Sequence, residues 1–175
     1  MAAEDKDCPD TRSRLSRREF IKIGSAATLA SGLAPALAAS AAATTNPETF
    51  PVANVADLAS LKVDTPVTFT YPDESSPAVL VRLPHAAVGG VGPGNSIVAY
   101  SMLCTHKGCP VSYKPERKML ICPCHWSSFD PAKAGQMVIG QGSQALPQIG
   151  LRVQGNTIQA VSIEGLIYGR HANIL

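Results

Sequence analysis

Cysteine and histidine are concentrated in one short part of this chain. Four of its five cysteines and two of its four histidines lie between residues 104 and 125, in two boxes that read Cys104-Thr105-His106-Lys107-Gly108-Cys109 and Cys122-Pro123-Cys124-His125-Trp126-Ser127. Each box holds a Cys followed two or three residues later by a His, and each holds one further Cys. Two thiolates and two neutral imidazoles can hold a 2Fe–2S cluster, with both Cys on one iron and both His on the other. We therefore expect a metal centre that both boxes build together.

Two other chemistries use Cys and His in such numbers. A zinc site of two Cys and two His is common, but a zinc finger normally shows C-x₂-C with H-x₃-H. The boxes here read C-x-H and C-x-x-H instead. Two plain disulfides would suit an exported domain, but they would leave the paired histidines unexplained. The two further cysteines, Cys109 and Cys124, could form one disulfide that staples the boxes together in an oxidising compartment.

The boxes resemble the Rieske signature, C-x-H-x-G-C followed by C-P-C-H-x-S, at every defining position. The resemblance implies that four residues bind one 2Fe–2S cluster: Cys104, His106, Cys122 and His125. It also implies a disulfide between Cys109 and Cys124. The fold that it implies is all-β, with antiparallel sheets forming a sandwich- or barrel-like base and two loops forming a cluster-binding subdomain at the tip. Replacing two thiolates by neutral imidazoles raises the reduction potential of such a cluster.

The same resemblance implies roles for residues beside the ligands. Ser127 matches a serine whose hydroxyl donates a hydrogen bond to a bridging sulfide, and Phe129 stands where the Rieske proteins of cytochrome bc complexes carry a tyrosine that bonds a ligand sulfur. Because hydrogen bonds to sulfur stabilise the reduced state, we expect a potential below that of proteins with both hydroxyls. Lys107 stands beside His106 and is a candidate for docking an acidic surface, the alternative being an ordinary solvated lysine.

The N-terminal part of the chain has the pattern of an export signal. Arg17 and Arg18 lie in the segment Ser-Arg-Arg-Glu-Phe-Ile-Lys, which precedes a weakly apolar, Ala-rich stretch over 23–43. This pattern is typical of a twin-arginine signal, so we expect residues 1–43 to direct export to the periplasm. Residues 44–175 would then form the Rieske domain, with the cluster-binding part over about 100–146. The alternative is an uncleaved leader that anchors the protein in the inner membrane, and no other membrane contact is expected. Pro35 and the small number of Leu, Ile and Phe residues in the stretch disfavour this anchor.

Alternation of apolar and polar residues predicts a mostly antiparallel β domain. Strands are expected over 66–71, 78–83, 97–102 and 119–122, and a hairpin is expected from 151–154 and 157–163 around Gly155-Asn156. Asn54 can cap a short helix over 55–61, whose apolar residues share one side. Residues 111–115, between the boxes, are predicted to be a loop.

Longer stretches resemble the small subunit of arsenite oxidase. They are residues 126–131, 135–142 and 165–170, which read WSSFDP, GQMVIGQG and GLIYGR. This resemblance implies an electron-transfer subunit that has no catalytic, substrate-converting residue of its own. It would take electrons from a molybdopterin-containing large subunit, which oxidises arsenite to arsenate. It would pass them to a periplasmic cytochrome c or azurin.

Two alternatives stand beside this function. Within the same family the alternative is the Rieske subunit of a quinol-oxidising cytochrome bc complex, for which a tyrosine in place of Phe129 and a strongly hydrophobic anchor are expected. Outside it, the alternative is a zinc-stabilised binding module. A formal net charge of +2 and a charged fraction of 16% disfavour a nucleic-acid partner, which usually meets a dense basic stripe.

Overall fold

The computed structural model describes residues 50–174. The predicted twin-arginine signal and most of the segment before Pro51 lie outside the described residues, so the predicted boundary after residue 43 stays a prediction. From residue 50 to residue 174, no helix is long and apolar enough to cross a membrane. Within the same range, the helical elements are two 3₁₀ turns, Leu58–Ser60 and Pro93–Asn95.

The described residues form ten strands in two antiparallel sheets. In chain order they are β1 (Ala53–Asp57), β2 (Val67–Thr70), β3 (Pro77–Arg82), β4 (Ile97–Ser101), β5 (Ser112–Lys114), β6 (Met119–Ile121), β7 (Ser128–Asp130), β8 (Gln136–Ile139), β9 (Gln148–Gln154) and β10 (Thr157–Glu164). The larger sheet has the order β1-β10-β9-β4-β3-β2 and the smaller sheet the order β5-β6-β7-β8. The antiparallel all-β fold class is therefore confirmed.

Strands β3 and β4 join the two sheets because both of their faces are buried. One face, with Leu80 and Ala99, contributes to an apolar core to which all six strands of the larger sheet supply side chains, so this sheet curves around its own core. The other face, with Val79 and Tyr100, packs against apolar residues of the smaller sheet, including Phe129. Two-sided burial explains why these two strands are continuous apolar runs in the sequence.

A polar contact fixes the end of the smaller sheet that lies away from the cysteine boxes. The Tyr113 hydroxyl donates a 2.6 Å hydrogen bond to the Asp64 carboxylate, which also forms an ion pair with Lys118. The Lys118 ammonium, followed by the Tyr113 hydroxyl, holds the pKa of Asp64 below its ordinary value. The contact ties the β5–β6 turn to the segment that precedes β2.

The helix predicted over 55–61 is wrong. Residues Ala53–Asp57 form β1, which pairs with β10, and only Leu58–Ser60 take one 3₁₀ turn. That turn is held by Asn156, whose carbonyl accepts a bond from Leu58 N–H at 2.7 Å and whose side-chain oxygen accepts one from Ala59 N–H at 3.2 Å. Pairing with residues 97 positions away thus outweighs a helical spacing of apolar residues. The apolar residues of the predicted helix still pack against the core.

The segment between the boxes, predicted as a loop, is half of a hairpin. Residues Ser112–Lys114 form β5 and pair with β6. The strands β7 and β8 were likewise not predicted from the sequence. The other predicted strands are confirmed, including the β9–β10 hairpin around Gly155-Asn156.

Candidate metal centre

Each cysteine box folds into the same closed turn. In the first box, Cys104 N–H donates to the Cys109 carbonyl at 2.9 Å, and Gly108 N–H donates to the Cys104 carbonyl at 2.8 Å. In the second box, Cys122 makes the corresponding bonds: it accepts from Trp126 N–H at 3.0 Å and donates to the carbonyl five residues on at 2.9 Å. These bonds satisfy the backbone of both boxes locally, which leaves the side chains free to converge.

The fifth position of both turns has a left-handed backbone. The angle φ is 70° at Gly108 and 60° at Trp126. Glycine adopts this region freely, whereas a bulky residue is uncommon there and needs the surrounding turn to hold it. The Trp126 side chain is 69% exposed, so it stands beside His125 at the surface and does not fill the core.

Two thiols lie beneath two imidazoles. The side chains of Cys104 and Cys122 are each about 1% exposed and are unbonded thiols. Burial raises the pKa of the Cys104 thiol; the backbone N–H of His106 lowers it in part and the neighbouring Cys122 raises it again. A low-dielectric pocket therefore favours the neutral thiol until a metal cation replaces its proton.

The imidazoles of His106 and His125 meet edge to face, with their Nδ1 atoms 3.2 Å apart and their ring centres 4.7 Å apart. A tetrahedral ion that binds imidazole nitrogen at about 2.0–2.1 Å holds two such nitrogens about 3.3 Å apart. The observed spacing therefore suits two nitrogens that share one ion. His125 is exposed and His106 is half-buried.

The remaining two cysteines are bonded to each other. Cys109 and Cys124 form a disulfide, as the resemblance implied, which joins the two boxes across 15 residues of sequence. Their sulfurs lie with that of Cys122 in a group whose members are all within 4.8 Å of one another. Because disulfide sulfurs are not thiolates, this group does not supply three metal ligands. The donors left in the boxes are two thiols and two imidazoles, which fit a Rieske cluster.

A third segment, residues 140–144, closes over the boxes. The buried Ser127 hydroxyl oxygen accepts a 3.0 Å hydrogen bond from Gln141 N–H, so its own proton remains available for another acceptor. The Thr105 hydroxyl donates to the Gln144 carbonyl at 2.8 Å, and the Ser143 hydroxyl donates to the Thr105 carbonyl at 3.0 Å. These contacts hold the first box against a segment almost 40 residues later in the chain.

Phe129 is fully buried and lies against this third segment. Its Cζ atom is 3.1 Å from the position that a Cβ of Gly142 would occupy. The segment can therefore approach only because it carries glycine at this point. Lys107 is exposed on the first box, in a position that suits both of its expected interpretations. The roles of Gln141, Ser143 and Gln144 are not evident from the sequence, because nothing in a Gly/Gln/Ser run indicates which backbone groups it will bond.

A model of the Rieske [2Fe-2S] domain matches residues 48–150 of this chain, which is more than half of its length. The chain belongs to the Rieske [2Fe-2S] family. It accordingly carries one 2Fe–2S cluster and works in electron transfer, and the zinc-stabilised module is set aside. The cofactor expected from the two boxes is confirmed.

Comparisons over longer stretches place it near oxidoreductase subunits. The chain is 39% identical over 166 residues to iodate reductase subunit IdrB of Denitromonas iodatirespirans, which covers 93% of this chain and 88% of that protein. It is 34% identical over 172 residues to the subunit of the same name from Pseudomonas sp. (strain SCT), which covers 97% and 90%. The soluble domain of Rieske protein II from Sulfolobus acidocaldarius shares the fold, with a TM-score of 0.58 and 24% identity over 70% of this chain and 82% of that one.

Proposed function

We propose that this chain is the electron-transfer small subunit of a periplasmic arsenite oxidase. The observation that carries the electron-transfer role is the set of two buried thiols and two adjacent imidazoles in the boxes, and arsenite as the substrate rests on the sequence resemblance. Cys104 and Cys122 would hold one iron, and His106 and His125 the other. When bound, the cluster supplies a one-electron couple whose potential is raised by the two neutral ligands.

The protein makes the two sides of this site unequal. The thiol side is enclosed by the two turns, the disulfide and residues 140–144, and both thiols are almost completely inaccessible to solvent. The imidazole side is open, with His125 exposed. Electrons would therefore enter and leave this subunit past the imidazole edges, where a partner can approach closely without disturbing the thiol side.

Replacing single ligands tests this assignment. We expect Cys104→Ser and His125→Ala to lose the cluster, measured as iron and sulfide content and as the visible absorbance of the purified chain. His85→Ala is the matched control, since His85 is an exposed histidine outside the boxes. A Cys104→Ser chain that retains a full Rieske spectrum would refute the assignment.

The partner proposed is a molybdopterin-containing large subunit. It would oxidise arsenite to arsenate, with water supplying the added oxygen atom and two electrons and two protons released, and this chain would accept the electrons one at a time. A periplasmic cytochrome c or azurin would receive them. Support comes from the resemblance of residues 126–131, 135–142 and 165–170 to arsenite oxidase small subunits. The first two build and cover the second box, and the third contacts Gly108 in the first box.

Iodate reduction is the second candidate function. It is favoured by the identity to two iodate reductase subunits over more than nine-tenths of the chain. Electrons would then run the other way, from a periplasmic donor through this chain to a large subunit that reduces iodate. The same cluster site would serve in both directions, so the partner's substrate has to be measured.

The deciding experiment uses the complex as it is purified from periplasm with its partner. Arsenite is added anaerobically to the oxidised complex while the EPR signal of the reduced Rieske cluster is followed; in a second sample, iodate is added to the dithionite-reduced complex. Appearance of the signal with arsenite supports arsenite oxidase. No response to arsenite, with reoxidation by iodate, would replace that proposal by iodate reductase.

Export by the twin-arginine route is part of the proposal. The route carries folded proteins, which suits a chain that receives its cluster before transport. We expect replacement of Arg17 and Arg18 by Lys to leave the cluster-loaded chain in the cytoplasm, as measured by fractionation against periplasmic and cytoplasmic markers. Normal periplasmic amounts of the double variant would contradict this route.

A further inference from the structure

The C-terminal residues 165–173, named here the C-terminal strap, lie beyond the part of the chain that the Rieske domain model matches. Their only buried large apolar side chain is Ile167, which enters the core of the larger sheet. The rest of the strap leaves that core and reaches the first cysteine box. The strap therefore connects the core of the larger sheet to the first cysteine box.

One end of the strap is fastened by a buried arginine. The Arg170 side chain is only 9% exposed, and its two terminal nitrogens each donate a 2.7 Å hydrogen bond to the Asp73 carboxylate. A third bond, of 2.8 Å, runs from Arg170 to the Ser75 hydroxyl. Because the guanidinium is planar and its bonds are paired, the arginine fixes the direction of the strap as well as its position.

The strap is also closed on itself. The Asn173 side chain accepts a 3.0 Å bond from Ile167 N–H and donates a 2.7 Å bond to the Gly165 carbonyl. Arg170 adds a 3.1 Å bond to the Asn173 carbonyl. A short segment without helix or strand is thereby held in one shape, with Tyr168 between its two fastened ends.

Tyr168 lies on the first cysteine box. Its ring atoms Cδ1 and Cε1 are both 2.7 Å from the position that a Cβ of Gly108 would occupy. Gly108 is the residue whose N–H closes the turn onto Cys104, and it directly precedes the disulfide residue Cys109. The aromatic ring therefore packs on the backbone of the turn beside the hydrogen bond from Gly108 N–H to the Cys104 carbonyl.

We propose that Tyr168 is a positioning residue of the metal centre: the strap holds its ring against Gly108 and so keeps the first box closed around its ligands. The proposal rests on the ligand assignment given above for Cys104 and His106. The ring acts through packing and not through its hydroxyl, for which the described residues show no hydrogen-bond partner. Glycine at position 108 is then required twice, by its positive φ and by the ring above it.

Hydrogen exchange of the cluster-loaded chain tests the proposal. We expect Tyr168→Ala to speed amide exchange in the peptide that covers residues 104–109 by about fivefold to tenfold, with no change in peptides from β9 and β10. The same variant is expected to shift the reduction potential and broaden the EPR signal, because the ligand geometry becomes less uniform. Tyr168→Phe should restore wild-type behaviour in all three measurements, since it keeps the ring.

Leu166→Ala is the matched control, because Leu166 lies in the same strap with a similar exposed fraction, 41% against 39% for Tyr168. Wild-type exchange and potential in Tyr168→Ala, or equal effects from Leu166→Ala, would overturn the proposal. Exchange is measured without a partner or substrate, and ligand loss is measured separately in Cys104→Ser. Failure of the strap proposal is therefore distinguishable from failure of the ligand assignment or of the arsenite oxidase proposal.

Discussion

The two sheets of this protein are stabilised in different ways. The larger sheet has strands of up to eight residues and a core to which every one of its strands contributes. The smaller sheet has strands of only three or four residues, and the boxes at its end are held by a disulfide and by side chains that reach across from other segments. Apolar burial, which has no direction, stabilises both sheets, but in the second region covalent and directional contacts are added to it where they hold the boxes.

This difference shows where the protein tolerates change. A Cβ at Gly140 would lie 2.3 Å from the Ser127 Cα atom, so the third segment reaches the boxes only with glycine there. The core of the larger sheet responds to lost volume in a graded way. Substitutions in the larger sheet should therefore change stability, and substitutions in the boxes should change the metal centre.

The largest effect on stability is expected in the larger sheet. Leu80 is fully buried on the face of β3 that looks into that core. We expect Leu80→Ala to lower the free energy of unfolding by about 2–5 kcal/mol in denaturant titrations, because it leaves a cavity. The reduction potential should stay at the wild-type value. Val79→Ala is the comparison, because Val79 faces the core that Cys104 also enters. This variant should lose stability and also lose its cluster faster than wild type. A changed reduction potential in Leu80→Ala would contradict the expected separation between the core of the larger sheet and the metal centre.

The disulfide is the next test. In the double variant Cys109→Ser, Cys124→Ser, we expect the tip to lose about 3 kcal/mol of stability, the entropy of closing a loop of 15 residues. Local hydrogen exchange over residues 104–127 should rise while that of β9 and β10 does not. Reducing the disulfide of the wild-type chain should reproduce the result. Equal increases in both regions would mean that the disulfide stabilises the whole domain.

A smaller effect, on the cluster itself, is expected at Phe129. A hydroxyl that bonds a ligand sulfur would stabilise the reduced state by about 1–2 kcal/mol, so Phe129→Tyr should raise the potential by about 40–90 mV. Phe129→Leu controls for altered packing, since it removes the ring without adding a hydroxyl. The measurement is a redox titration followed by EPR or visible absorbance. A potential in Phe129→Tyr that stays at the wild-type value would count against the expected role of this position.

The smallest effect concerns the anchor of the strap. The Arg170 guanidinium, followed by the Ser75 hydroxyl, holds the pKa of Asp73 well below its ordinary value. A carboxyl whose pKa is lowered by folding stabilises the protein above its unfolded pKa of about 4, and this contribution is lost as the pH falls further. We expect Asp73→Asn to lower Tm at pH 6, by an amount worth less than about 1 kcal/mol because Asp73 is 40% exposed. The difference in Tm from wild type should shrink at pH 3; a constant difference would show that charge is not its origin.

Some features were predictable because they depend on neighbours in the sequence. Alternating residues indicated β2, the Gly155-Asn156 turn indicated the β9–β10 hairpin, and apolar runs indicated β3 and β4. The helix predicted over 55–61 failed because β1 is decided by its pairing with β10, which no local pattern contains. The loop predicted over 111–115 failed for a related reason, since β5 is decided by its pairing with β6.

The sequence by itself determined which donor types, two Cys and two His beyond the disulfide pair, stand in the two boxes. Cys and His at the box spacings predict an iron–sulfur site, because a cluster ligand must be one of very few residue types. Only the tertiary structure decided which distant segments enclose those donors: residues 140–144 on Ser127 and Thr105, and Tyr168 on Gly108. Such contacts depend on backbone carbonyls, glycine α-carbons and ring faces, which many sequences can supply. They are fixed only when the sheets bring these segments together.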